Sequence, residues 1–186
     1  MKRRKRNRMQ GFDYSSNRLY FITNCVKNNR CCFGQVVAIG TGRDLSVADA
    51  LPENNSLPKI NPHIGYQMQL NVYGLIVEER IKWLAMQYPY VVIHNYKVMP
   101  NHIHLILEID SKKVDSSEIK IKSVSELMGA FKTTSSKYIK QAGLIDFSWH
   151  RSFHDHIIRN FISFVRISKY IDLNPQKWYH DKFFNA

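Results

Sequence analysis

A strand, a tight turn and a second strand around residue 100 constrain the fold more than any other part of the sequence. Apolar runs at 96–99 and 105–109 flank the string Pro-Asn-His-Ile-His, and this pattern predicts a β-hairpin. Residues i and i+2 of a strand point to one face, so His102 and His104 stand side by side, about 6.6 Å apart along the strand. The alternate residues face a core: Ile103, Leu105, Leu107 and Ile109.

Two imidazoles at this spacing suit a metal ion. They can bind one divalent ion together and leave coordination positions for a substrate. An isolated His-x-His pair on a strand is more often a pair of polar surface residues, and the spacing alone leaves that alternative open. The metal site is favoured by the position of the pair at the start of a strand, where loops converge.

Size and composition are those of an ordinary globular domain. The chain has 186 residues, 44% of them hydrophobic and 23% charged, which is enough for one domain with a full core. No apolar run approaches the roughly 20 residues that span a bilayer, and no apolar segment of a secretion signal follows the cationic start. Three cysteines, two of them adjacent (Cys25, Cys31 and Cys32), fit a reducing cytoplasm better than a disulfide framework.

The net charge of +12 favours a polyanionic partner. Six lysines and arginines crowd residues 2–8, so residues 1–10 are predicted to be a basic, flexible arm. Lysines and arginines interspersed with aromatic residues suit phosphates and bases, although a solvated basic face is the alternative. The candidate DNA contacts are Arg3, Arg4, Lys5, Arg6, Lys132, Lys137 and Arg159.

The remaining pattern predicts an α+β fold. Strands are expected at 19–26, 33–39, 66–70, 91–99 and 102–109, and helices at 71–88, 123–141 and 162–173. The segment 40–65 is a long connection, and 147–155 is short and aromatic. This order predicts a ferredoxin-like sandwich, an antiparallel sheet with helices packed on one face, as a single domain over 11–186.

A nucleophile candidate lies on the second long helix. Tyr138 sits toward its C-terminal end among Lys132, Lys137 and Lys140, and cations near a tyrosine assist its use as an oxygen nucleophile. The residues alone favour an ordinary helical tyrosine that packs its ring.

Motifs spread along the chain resemble the REP-associated tyrosine transposases, a group of single-tyrosine transposases with a His-hydrophobic-His motif. The most specific string is Val-Met-Pro-Asn-His-Ile-His at 98–104. The others are Gly-Phe-Asp-Tyr at 11–14, Tyr-Phe-Ile-Thr at 20–23, Phe131-Lys132 with Tyr138, Phe-His-Asp-His-Ile-Ile-Arg-Asn at 153–160, and a tail with Tyr170-Ile171, Asn174-Pro175 and Trp178. Residues of about 40–65 look like an insertion.

The resemblance implies a single-strand DNA endonuclease and strand transferase that acts on hairpin-forming DNA. In such enzymes the two histidines hold Mg²⁺ or Mn²⁺, here through His102 and His104. The tyrosine, here Tyr138, attacks the scissile phosphate and forms a 5′-phosphotyrosine. Should Tyr138 not be the nucleophile, Tyr14, Tyr20, Tyr96 and Tyr170 are the next candidates.

The third metal ligand stays open. Related transposases use a glutamine four residues after the tyrosine, but that position is Ala142 here, and the glutamine is Gln141. Gln141 and His156 are equal candidates, and Arg159 is expected to meet a phosphate because its guanidinium suits bidentate contact.

Two other functions remain possible: a replication-initiator or relaxase nuclease, and a DNA- or RNA-binding module without catalysis. The resemblance favours a monomer, with a dimer as the alternative.

Overall fold

The computed structural model describes residues 11–39, 65–115 and 119–184. The strands are Arg18–Cys25 (β1), Gly34–Ile39 (β2), Gly65–Leu70 (β3), Val91–Val98 (β4), His102–Ile109 (β5) and His154–Ile158 (β6). The α-helices are Val72–Gln87 (α1), Val124–Gln141 (α2) and Phe161–Asp172 (α3), and a 3-10 segment, Pro175–His180, follows α3. The predicted basic arm and nearly all of the predicted insertion lie outside the described residues.

Four antiparallel strands form the central sheet in the order β4-β5-β1-β6. The chain passes through β1, α1, β4, β5, α2 and β6, which is the ferredoxin-like order of strands and helices. A separate hairpin of β2 and β3 is inserted between β1 and α1. The predicted α+β class with a central antiparallel sheet is confirmed.

Strand β5 is central and almost wholly buried. Its residues Ile103, Leu105, Leu107 and Ile109 join one core cluster with the buried faces of α1 and α2, as the alternation of the sequence predicts. Helix α1 contributes Val77, Ile81 and Leu84 to this core, and α2 contributes Leu127, Met128, Phe131 and Ile139.

Local signals explain where the helices begin. The side chain of Asn71 accepts from the backbone N–H groups of Tyr73 and Gly74 at the start of α1. Ser123 and Glu126 form a reciprocal capping box at the start of α2, as their spacing predicts. Each cap satisfies backbone donors that a helix leaves unpaired at its first turn.

Helix α3 lies on the other face of the sheet, so the expectation that the helices pack on one face was wrong. The Nδ2 atom of Asn95 on β4 donates to Ser168 Oγ at 2.7 Å and to Asp172 Oδ1 at 3.0 Å. Ile106, Ile158 and Ile171 form a small buried cluster beneath the helix. Because Ile106 alternates with Ile103 and Leu105, this face is the one that bears His102 and His104.

Strand β6 was not predicted as a strand. It is five residues long, has the polar sequence His-Asp-His before two isoleucines, and pairs only with β1 in the described structure. Among the described residues, no helix is long and apolar enough to span a membrane.

Candidate metal centre and active site

The imidazoles of His102 and His104 meet in the interior of the protein. Their Nε2 atoms are 3.1 Å apart, and the residues are 0% and 1% exposed. Both histidines lie at the start of β5, next to the turn, as predicted, and their side chains are on one face of the sheet. A solvent-exposed pair of surface histidines is therefore excluded by their burial.

Asn101 fixes the orientation of the His102 ring. Its Nδ2 atom donates to the carbonyl oxygens of Asn29 at 2.9 Å and Phe183 at 2.7 Å, which leaves its Oδ1 atom as an acceptor 2.9 Å from His102 Nδ1. The Nδ1 atom of His102 therefore carries the proton, and its Nε2 atom offers a lone pair. Metal-binding histidines are commonly held in this way through their second ring nitrogen.

Thr23 holds the His104 ring from β1. Its Oγ1 atom lies 2.9 Å from His104 Nδ1, in the position directly opposite His104 across the strand pair. A hydroxyl can donate or accept. Without an ion, the Nε2 atom of His104 can carry the proton and donate it to His102 Nε2. With an ion, the Nδ1 atom of His104 can carry the proton and donate it to Thr23. The Nε2 atoms of both histidines then offer their lone pairs to the ion.

Burial keeps both imidazoles neutral. Desolvation lowers the pKa of His102 well below its ordinary value, and the neighbouring His104 and Lys182 act in the same direction. Desolvation, with a smaller contribution from Lys182, lowers the pKa of His104 to about 3. The neutral imidazole is the form that binds metal ions.

The C-terminal segment brings a carboxylate to the pair. Ligand atoms of His102, His104 and Asp181 all lie within 4.8 Å of one another, so this group could hold a metal ion. The ring of Phe183 lies 4.7 Å from that of His102, and the ring of Trp178 lies 6.0 Å from it. The aromatic rings exclude water from one side of the group.

Asn174 lies beside Asp181 and carries a further amide oxygen. The residue is 1% exposed, and its Nδ2 atom lies 3.4 Å from Asp181 Oδ2. Among the described residues, its buried Oδ1 atom has no hydrogen-bond partner. A buried acceptor without a partner is costly unless something else satisfies it. The two neutral imidazoles and the carboxylate form a donor set that fits a divalent ion, and this amide oxygen is a candidate fourth donor.

Tyr170 is the tyrosine that contacts this group. Its hydroxyl lies 3.3 Å from His104 Nε2, and its ring lies 5.2 Å from the His104 ring. Helix α3 carries it, and Phe21 of β1 packs edge-on against it. Desolvation, with Asp181 second, raises the pKa of its phenol, so the hydroxyl keeps its proton while no cation is near.

The structure does not bring Tyr138 to the histidines. Tyr138 lies on α2, whose buried residues pack against the opposite face of the sheet. Its ring lies 4.7 Å from the guanidinium of Arg80 on α1. Gln141 is an exposed residue at the end of the same helix. In this structure neither residue lies beside the histidines, because α2 packs on the other face of the sheet. Their roles as nucleophile and metal ligand stay predictions.

His156 lies on the same face of the sheet as His104 but not within the group. It stands opposite Phe21 on the edge strand β6 and is exposed. Asp181 and Asn174 therefore lie closer to the two histidines' group than the predicted third ligands, Gln141 and His156.

The residues predicted to contact DNA differ in what the structure shows of them. Lys132 donates to the carbonyl oxygens of His150, Arg151 and Ser152 at 2.9–3.5 Å, so its ammonium ties α2 to the following loop. Lys137 and Arg159 are exposed, on α2 and after β6. Arg3, Arg4, Lys5 and Arg6 lie outside the described residues.

The sequence contained a signal that could have indicated Tyr170. Asn174 follows Tyr170 by four residues, which is the tyrosine-to-amide spacing that we sought at Tyr138 and did not find. Asp181 carried no such signal, because only the fold brings residue 181 to β5.

Comparison with solved structures shows which known proteins share this fold. A REP-associated tyrosine transposase bound to a REP hairpin superposes with a TM-score of 0.53 at 16% identity, over 94% of this chain and 74% of that one. This chain has the fold of that REP-associated tyrosine transposase. A provisionally assigned transposase of Deinococcus radiodurans gives a TM-score of 0.43 at 14% identity, over 89% of this chain and 95% of that one.

The sequence comparisons are less informative. No family model matches the sequence. A Haemophilus influenzae protein described as uncharacterised is 28% identical over 194 residues, a match that covers 97% of this chain and 93% of that protein.

Proposed function

We propose that this protein is a metal-dependent single-strand DNA endonuclease and strand transferase, with Tyr170 as its nucleophile. The observation that carries the proposal is the contact between the Tyr170 hydroxyl and His104 Nε2 at 3.3 Å, inside a group of residues that could hold a metal ion. Catalysis by Tyr138 remains the alternative, since the sequence resemblance pointed to it.

His102, His104 and Asp181, with the Asn174 amide oxygen, are the residues that would hold a Mg²⁺ or Mn²⁺ ion. When bound there, a divalent ion polarises a phosphate oxygen and stabilises the charge of the transition state. The protein contributes the orientation: Asn101 and Thr23 aim the two Nε2 atoms at one point.

The chemical step is a substitution at phosphorus. The Tyr170 oxygen forms a bond to the scissile phosphorus while the bond from phosphorus to the 3′-oxygen breaks. The phenolic proton leaves to water, which reaches Tyr170 because the residue is 39% exposed, and the leaving 3′-oxygen takes up a proton. The products are a 5′-phosphotyrosine and a free 3′-hydroxyl, and attack by another 3′-hydroxyl on the phosphotyrosine rejoins strands without ATP.

Three observations support hairpin-forming single-stranded DNA as the substrate. The net charge of +12 favours a polyanion. Lys137 and Arg159 add exposed cations to the basic N-terminal residues. A solved structure with this fold, a REP-associated tyrosine transposase, is bound to a REP hairpin.

Action as a cytoplasmic monomer is part of the proposal. Tyr170, His104 and Asp181 come from one chain, so no second copy is needed to complete the group. The three cysteines are free thiols, as they would remain in a reducing compartment.

Two single-atom deletions test the nucleophile. Protein, Mn²⁺ and an end-labelled hairpin oligonucleotide should give a covalent adduct that survives denaturation. Tyr170→Phe should abolish the adduct, whereas Tyr138→Phe should form it at nearly the wild-type rate, because each change removes only a hydroxyl and keeps the ring.

The opposite result, loss of the adduct in Tyr138→Phe alone, would restore the original assignment. If the wild-type protein binds the hairpin and forms no adduct, the protein is a DNA-binding module without this catalysis.

A further inference from the structure

Lys182 occupies the position between two residues that define the candidate site. Asp181, before it, belongs to the group that could hold a metal ion. Phe183, after it, places its ring 4.7 Å from that of His102. The ammonium of Lys182 lies 4.7 Å from the centre of the Phe183 ring, a cation–π contact that holds the charge over the aromatic ring beside the histidines.

Through its contact with the Phe183 ring, the ammonium of Lys182 lies close to the candidate site. It contributes to the low pKa of both His102 and His104, although burial is the main cause. It also opposes the effect of burial on the pKa of Cys25, which lies opposite His102 on β1. These electrostatic effects agree with the position of the ammonium beside the candidate site.

Among the described residues, the contact of this ammonium with the Phe183 ring is its one structural contact that we identify. Lys182 is exposed, and within the described part of the chain its ammonium forms no ion pair with a carboxylate. By contrast, the ammonium of Lys132 donates to backbone carbonyls. Its ring contact leaves the donors of Lys182 available to a ligand.

Attack on a phosphodiester raises the negative charge on the phosphoryl oxygens, and a divalent ion with one carboxylate ligand offsets only part of it. We propose that Lys182 is a catalytic residue that binds a non-bridging oxygen of the scissile phosphate and stabilises that charge in the transition state. This role rests on the proposed function of the same site.

The kinetic test compares two lysines of the C-terminal segment. Lys182→Gln should slow adduct formation with the hairpin and Mn²⁺ by about ten- to hundredfold under single-turnover conditions, with the hairpin Kd changed less than threefold. Lys182→Arg should retain most of the rate. Lys177→Gln, which removes an exposed lysine from the same segment, is the matched control and should keep the wild-type rate.

A second measurement does not depend on cleavage. Mn²⁺ bound to the protein should relax the ³¹P signal of inorganic phosphate, and Lys182→Gln should weaken phosphate binding about tenfold. The Mn²⁺ affinity, measured by electron paramagnetic resonance, should stay constant or rise, since a nearby positive charge is lost. A residue that merely held the segment in place would lower the Mn²⁺ affinity instead.

The two measurements separate the two proposals. Wild-type protein that forms no adduct would overturn the proposed function, and the ³¹P measurement would still decide whether Lys182 binds phosphate next to the ion. Equal adduct rates and equal phosphate affinities in wild type and Lys182→Gln would overturn the role of Lys182.

Discussion

At the scale of single residues, the candidate site depends on side chains that aim the histidines. Thr23 contacts His104 Nδ1 at 2.9 Å, and partners of this kind typically change metal affinity 10–100-fold. We predict that Thr23→Val lowers Mn²⁺ affinity by about this factor, because it removes the hydroxyl and keeps the shape. Titration calorimetry with Mn²⁺ measures the effect.

Two variants control that experiment. Thr23→Ser restores a hydroxyl and should recover most of the affinity. Thr134→Val removes a hydroxyl that, among the described residues, bonds within α2, to Ala130 O at 2.9 Å and Phe131 O at 3.2 Å. This variant should leave the affinity unchanged. Equal Mn²⁺ affinities in wild type and Thr23→Val would show that the Thr23 hydroxyl does not orient a metal ligand.

The buried histidines also make stability depend on pH. Between about pH 3 and 6.5, unfolded chains protonate His104 while the folded chain keeps it neutral, because its folded pKa is about 3. The unfolded state then binds more protons, so the free energy of unfolding falls as pH falls below 6.5. At about 1.4 kcal/mol for each pH unit in this window, a decrease of about 2 kcal/mol is expected from pH 6.5 to 5 for His104 alone.

Urea unfolding of the metal-free protein in EDTA measures this decrease. In a His102→Gln/His104→Gln variant, the free energy of unfolding should depend less on pH over the same range. If both proteins lose equal stability between pH 6.5 and pH 5, groups other than this pair account for the dependence.

At the scale of the elements, α1 packs close to the chain that precedes the β2–β3 hairpin. A Cβ atom on Gly74 would lie 2.2 Å from the carbonyl oxygen of Phe33, whereas one on Gly129 of α2 would meet nothing within 4 Å. We predict that Gly74→Ala costs about 1–3 kcal/mol or more. Gly129→Ala should raise the free energy of unfolding by up to about 1 kcal/mol, because alanine favours a helix interior.

Chemical denaturation of both variants gives the comparison directly, and each serves as the control for the other. A gain in stability for Gly74→Ala would show that α1 can move away from Phe33 without loss. This would contradict the close approach of the two segments.

The helices and strands that could be predicted were those whose bounds are determined by residues close together in the sequence. The alternation along β5 gave its bounds and its two faces, and the Ser123–Glu126 capping box gave the start of α2. Strand β6 was missed because His154 and His156 are exposed polar residues on an edge strand that lacks a clear alternation of apolar residues.

The candidate site was harder to predict because its parts meet only through the fold. Periodicity indicates that α2 and α3 are helices, but not which face of the sheet each one covers. That choice decides between Tyr138 and Tyr170, and it depends on contacts such as Asn95 with Ser168. Asp181 arrives from a segment about 80 residues after His102, and no spacing rule in the sequence links the two.

At the scale of the whole molecule, the charge is the dominant property. Among the 27 lysines and arginines, which exceed the 15 acidic residues by 12, six lie in residues 2–8. Each cation that neutralises a phosphate of single-stranded DNA releases a counterion and adds about 0.7 to the slope of log K against log salt. The slope therefore counts phosphate contacts, whatever the conformation of the residues that make them.

We predict that deletion of residues 2–8 weakens hairpin binding and makes this slope shallower by about 0.7 for each lost contact, up to about 4 if all six cations meet phosphates. Fluorescence anisotropy of a labelled hairpin across a salt series measures this slope.

A variant with Lys177→Gln, which removes one cation of the C-terminal segment, should change the slope by at most one contact. Because the deletion leaves His102, His104 and Tyr170 in place, the adduct should still form at saturating protein. An unchanged slope would mean that these six cations do not contact the DNA. The charge that binds it would then lie elsewhere in the chain, where Lys137 and Arg159 are exposed.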